Sequence, residues 1–149
     1  MPFPWFGGTF GKGFFNKKVM NREIKFRGID KKTNEFVYGD LVRMVIGGNI
    51  HFYIQPLDSK KIEVHFKTIG QFTVFLDHKR FAIYEGDIIS DWVKVDGEDT
   101  QSKQQVFWNT QTGSWHLDIS YKQDKTQSVD LWLELKDFKY EVTGNIYKM

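Results

Sequence analysis

A chain of 149 residues with one alanine and seven leucines almost lacks the apolar residues from which helices are built. Its valine, isoleucine, phenylalanine, tyrosine, tryptophan and threonine total 57, and such β-branched and aromatic side chains fit a pleated, half-buried surface. The expectation is a mainly β fold: a small single domain of β-hairpins in a barrel-like or meander arrangement. The length suits one core rather than two. We place the β-rich domain at residues 20–149 and read residues 1–19 as an aromatic, glycine-rich N-terminal extension. Phe3, Trp5, Phe6, Phe10, Phe14 and Phe15 stand there among glycines, without a sustained period of two or of 3.6.

From Arg22 the pattern becomes regular. Ile24 and Phe26 alternate with charged residues, and Asp30 to Asn34 forms a polar turn before Phe36-Val37-Tyr38, which together read as a hairpin. Leu41 to Ile46, the Gly47-Gly48-Asn49 turn and Ile50 to Ile54 make a second. Ile62, Val64 and Phe66 alternate as a third strand. Further strands are expected at Ile88 to Val95, Gln105 to Trp108, Trp115 to Ile119 and Glu141 to Tyr147, the last broken at Gly144-Asn145, with Asp96 to Gln104 as a connection. Val129 to Phe138 satisfies both helical spacing and, at Leu131, Leu133 and Leu135, strand alternation, so a short helix and a strand both remain open. Asp30 to Val42 and Asp77 to Ile89 echo one another 47 positions apart, each with a polar turn, a short apolar segment ending in tyrosine, and Gly-Asp. The echo reads either as two similar β units or as ordinary corner chemistry used twice.

Charge narrows the partners. Residues 1–19 carry +3, whereas the remainder balances 18 basic against 19 acidic groups, so the body offers no basic excess for a duplex. The positive share lies in residues 20–89, with 11 basic and 9 acidic groups. There, Lys60 and Lys61 stand with His65 and Lys67, and His78, Lys79 and Arg80 with Phe81, as basic-aromatic clusters of the kind that hold single strands. Cysteine is absent, which removes disulfides and thiolate metal sites and suits a cytoplasmic setting. No run of 18 apolar residues exists, and the start of the chain does not read as a secretory signal, so no membrane role is expected.

Catalytic signatures are missing from the pattern. No Gly-x-Ser-x-Gly occurs, the glycines at 7, 8, 11 and 13 follow no strand and open no helix, and His51, His65, His78 and His116 lack ligand spacing. Asp40 and Asp87 are the conspicuous acids, with corner roles favoured over a catalytic pair. We expect no enzyme, metal or cofactor.

Five blocks together resemble the YopX family of bacteriophage and prophage proteins. They are Arg22 to Asp30, Tyr38-Gly39-Asp40-Leu41-Val42, Thr68-Ile69-Gly70-Gln71-Phe72-Thr73, Ile83-Tyr84-Glu85-Gly86-Asp87-Ile88-Ile89, and Glu141-Val142-Thr143-Gly144-Asn145-Ile146-Tyr147. The segment Val74 to Ala82 departs from the family's glycine-containing turn, and the family's usual opening would place its start at Met20. The resemblance implies a protein of a mobile element that assembles as a homo-oligomer in the bacterial host cytoplasm, with no catalytic residues to transfer. It also implies a helix-rich chain, against which the alternation and the single alanine argue for strands. The resulting expectation is a non-enzymatic, homo-oligomeric accessory protein with phage or host protein partners. The alternative is a single-stranded nucleic-acid binder using Lys60, Lys61, His78, Lys79 and Arg80.

Overall fold

Local chemistry fixes each turn of the computed structural model, which describes residues 18–119 and 128–148. Of the N-terminal extension, only Lys18 and Val19 fall within that range. Strand β1 (Phe26–Ile29) turns at Asp30, whose carboxylate accepts the Lys32 N–H, into the long strand β2 (Phe36–Ile46). Gly47 and Gly48, with φ of 58° and 81°, form the two-residue hairpin turn to β3 (Asn49–Gln55). Then follow β4 (Ile62–Glu63), a single 3₁₀ turn (Phe66–Thr68), β5 (Gly70–Leu76) and β6 (Ala82–Tyr84). These strands form one sheet in the order β4-β3-β2-β1-β5-β6.

The second half builds a five-stranded sheet. It comprises β7 (Asp87–Ser90), β10 (Gln104–Asn109), β11 (Ser114–Asp118), β12 (Ser128–Asp130) and β13 (Glu141–Asn145), ordered β12-β11-β10-β7-β13. Between β7 and β10, β8 (Trp92–Val95) and β9 (Glu98–Gln101) make a separate ribbon. Helix α1 (Leu131–Asp137) packs on this sheet, and its N-cap Asp130 accepts the Leu133 N–H at 3.1 Å. Ile83, Ile89, Val106, Leu117, Leu131 and Tyr140 form the main core, with Phe75, Trp115 and Val142 packed against it.

The mainly β expectation is met, and the helical expectation attached to the family is not. Among the described residues both large sheets are open and close no barrel, while β1 to β4 run as a meander. Of the two readings of Val129 to Phe138 the helix holds: Leu131, Leu133 and Leu135, whose alternation suggested a strand, all lie in α1, and only Val129 and the cap Asp130 belong to β12. Three strand boundaries need correction. The connection Asp96 to Gln104 contains β9, because Asp96 and Gly97, with φ of 52° and 83°, fold it back on β8. The run Ile88 to Val95 divides at Asp91 between two sheets. The strand read through Phe66 shortens to β4, since Phe66 enters the 3₁₀ turn. The break at Gly144-Asn145 is a register shift between Val142 and Gly144.

The internal echo is half real. Asp77 repeats the Asp30 turn, accepting the Lys79 N–H as Asp30 accepts that of Lys32. At Gly-Asp the copies diverge. Gly39 lies inside β2, where a Cβ would collide with the Gln55 backbone oxygen and come within 2.9 Å of Pro56 Cα. Gly86, at φ 89°, instead bends the chain out of the first sheet so that Asp87 starts the second. We expect Gly39→Ala to lower stability by more than about 1 kcal/mol. Gly144→Ala, with open space around its Cβ position, should shift it by less than about 0.5 kcal/mol. Urea unfolding of both variants checks the pair.

Candidate functional site

Where the sheets meet, Arg27 of β1 reaches Asp87 at the start of β7. The distance is 2.7 Å, and the two side chains are 6% and 2% exposed. The guanidinium lies 4.4 Å from the Phe36 ring centroid and 4.9 Å from that of Tyr84, and its Nη2 donates to the Glu85 carbonyl at 3.4 Å. Asp87 Oδ2 accepts the Tyr84 N–H at 2.7 Å. Burial pushes the Asp87 carboxyl up from its ordinary value against the pull of Arg27. This cluster is closed and built for cohesion.

An open groove adjoins it. Strand β5 and the β10–β11 pair frame a cavity of about 590 Å³ whose walls include Arg22, Phe72, Val74, Glu85, Trp108 and Trp115. The register of β10 and β11 sets Trp108 opposite Trp115, with ring centroids 4.9 Å apart and planes at 73°. Trp115 packs on the core and Trp108 leans on it, leaving Trp108 42% exposed. Val74 sits at φ 76°, where a β-branched residue is strained, and the β5–β6 register shifts across it. Glu85 accepts the Gln71 N–H at 3.3 Å, and burial raises its carboxyl above the ordinary value.

A second surface is the hairpin arm. Residues 40–46 of β2 pair with β3 alone, because β1 covers only residues 36–39. Val45 faces Ile50 across the ladder, and they are 72% and 58% exposed. Farther along, Phe52 packs on Phe66 at 4.7 Å, and Phe66 is itself 62% exposed.

The basic residues singled out from sequence lie in two separate places. Lys60 and Lys61 are exposed in the segment entering β4, with Lys61 Nζ 5.2 Å from the Tyr53 ring centroid. His78, Lys79 and Arg80 are exposed in the turn between β5 and β6, where Lys79 meets Glu141 at 3.5 Å. In the six-strand order β4 and β6 are the opposite edges. Asp40 is exposed in β2 while Asp87 is buried against Arg27. His51 contacts Glu63 at 3.0 Å, and His116 is buried between Ser128 and Thr112. Among the described residues no group of three or more histidines, aspartates or glutamates is placed to hold a metal ion. None of their helices is long and apolar enough to cross a membrane. Sequence reading missed the groove, since Glu85 and Trp108 are 23 positions apart and only the sheet-to-sheet corner unites them. The Trp108/Trp115 pair across the tight Asn109 to Gly113 turn was the one signal available.

The fold is thus that of an open two-sheet β protein with a buried ionic clasp. The YopX protein family model matches residues 25–149, and the chain belongs to that family. Comparison with curated proteins found no match. Among solved structures, the chain is similar to protein EF1440 from Enterococcus faecalis at 19% identity and a TM-score of 0.51. That alignment covers 85% of this chain and 95% of the other. The likeness is one of fold.

The Glu85 shift gives a signed pH dependence. A carboxyl raised by burial is costly to ionise in the folded state, so its contribution to stability improves as pH falls through the folded value toward the unfolded one of about 4.3. Glu85→Gln keeps an acceptor for Gln71 N–H and removes the charge. The variant should be more stable than wild type at pH 7, with the gap closing as pH falls toward about 4. Urea midpoints across pH measure it.

Proposed function

We infer that the protein is a non-enzymatic accessory protein of a phage or prophage, acting in the bacterial host cytoplasm by self-association and by contact with phage or host proteins. The observation that carries this is the hairpin arm: Val45 and Ile50 form exposed apolar surface on a projecting, two-stranded element, and exposed Phe66 of the 3₁₀ turn packs on Phe52 at its base. Such patches mark interfaces. Membership in the YopX family supports the mobile-element setting. The engagement of Asp87, His116 and His51 in structural contacts supports a role outside catalysis.

Size-exclusion chromatography with light scattering tests the reading. Wild type should elute as a defined multiple of 17.6 kDa, and Val45→Glu with Ile50→Glu should reduce it to a single chain with its fold retained by circular dichroism. A wild-type protein that stays at one chain mass at tens of micromolar overturns self-association.

A second reading, binding of single-stranded nucleic acid, is favoured by one feature. Trp108 presents a ring at the mouth of a groove that also holds Arg22. The lysine clusters at Lys60-Lys61 and His78-Lys79-Arg80 would then track the backbone around it rather than form the base site.

A further inference from the structure

The groove between β5 and β10–β11 brings an acid, a partly exposed indole and an exposed cation to one cavity. Glu85 lines this cavity together with Phe72, Trp108 and Trp115, and one of its carboxylate oxygens accepts the Gln71 N–H. Among the described residues no lysine or arginine forms an ion pair with it. Arg27 reaches its backbone carbonyl instead. A half-buried carboxylate in this state is matched by a ligand that brings N–H donors. The ring of Trp108 offers an aromatic platform beside it, and exposed Arg22 lines the same cavity as a cation for an anionic group.

We propose that this groove is a nucleobase site selective for guanine. The base stacks on Trp108, its N1–H and N2–H donate to Glu85, and its phosphate meets Arg22. Guanine is distinguished because its Watson–Crick edge carries two adjacent donors, which suit one carboxylate. Adenine sets an acceptor beside its single donor group, and cytosine and uracil likewise lack an adjacent donor pair. A free nucleotide and a base within a single strand share this chemistry. The proposal extends the nucleic-acid reading but stands without it, since a mononucleotide fills the site equally well.

Heteronuclear NMR on nitrogen-15-labelled full-length protein tests it, using the indole N–H peaks of Trp108 and Trp115 and GMP, AMP, guanosine and TG- or TA-repeat hexamers as probes. GMP should shift both peaks saturably at millimolar concentration, about tenfold more tightly than AMP. Guanosine should bind more weakly than GMP, and Arg22→Ala should remove that difference. Trp108→Ala, followed through Trp115, should weaken GMP about tenfold or more. Glu85→Gln, with its spectrum otherwise retained, should bind GMP and AMP alike. A TG-repeat hexamer that binds more tightly than GMP identifies the strand as the source, whereas equal affinity identifies the free nucleotide and removes the nucleic-acid reading alone. Absence of a GMP shift at several millimolar, or a GMP preference that survives Glu85→Gln, overturns the proposal. Hexamer binding that leaves both indole peaks in place also overturns it, while sparing nucleic-acid binding elsewhere.

Discussion

The Arg27–Asp87 contact is the constraint on which the two-sheet arrangement rests. Neither charge has water to fall back on, and a buried pair gains little over its own desolvation. Its importance is positional. Arg27 is fixed from β1 by the Phe36 and Tyr84 rings, so Asp87 must arrive at one place, and the chain must leave the first sheet at Gly86 to deliver it. Tyr147 lies against that corner, since a Cβ on Gly86 would come within 2.9 Å of its ring. Backbone bonds complete the junction: Gly86 N–H donates to Val106 and Ile146 N–H to Gly86, both at 2.9 Å. A second tie runs from Asp77, whose Oδ2 accepts the Val142 N–H at 2.9 Å. Two aspartates thus fasten the same pair of sheets, Asp77 from the turn after β5 and Asp87 from the start of β7.

Much of the fold was legible because its signals are local. The Gly47-Gly48 turn needs only residues that tolerate positive φ, whereas the alternation of Ile24 and Phe26 with charged residues misstates β1, where Arg27, Gly28 and Ile29 are buried in succession and Phe26 only partly. Strand β9 escaped notice because Glu98-Asp99-Thr100-Gln101 has no apolar alternation and is almost wholly exposed, held by its ladder to β8 alone. The Asp96-Gly97 pair did announce a hairpin, but polar flanks hid it. The Gly-Asp echo shows a further limit. Identical dipeptides continue a strand at Gly39 and break one at Gly86, because the outcome is set by Gln55 and Tyr147, partners 16 and 61 positions away.

The candidate surfaces follow from the same geometry. Because β1 ends its pairing at residue 39 of β2 and β4 pairs only with Tyr53 and Ile54 of β3, the tips of β2 and β3 around the Gly47-Gly48 turn project as an arm with Val45 and Ile50 exposed. Because the Gly86 corner sets β5 beside the β10–β11 pair, Glu85 and Trp108 face a shared groove. The alternative, nucleic-acid reading of the sequence rested on basic residues, which composition makes visible. The structure puts those lysines on loops at opposite edges and gathers the more specific chemistry at the junction between the sheets. Charge counts report a surface average, whereas a groove depends on which few side chains the topology unites.

The claim that the Arg27–Asp87 pair joins the sheets is tested most directly by a double-mutant cycle. Arg27→Met, Asp87→Asn and the double variant would be compared with wild type by urea unfolding. Each single change leaves one buried partner uncompensated and should cost about 3 kcal/mol or more. The double variant should recover much of that loss, giving a coupling of about 2 kcal/mol or more. Strictly additive losses would contradict the account, and would place the cohesion of the two sheets in their backbone bonds and apolar packing instead.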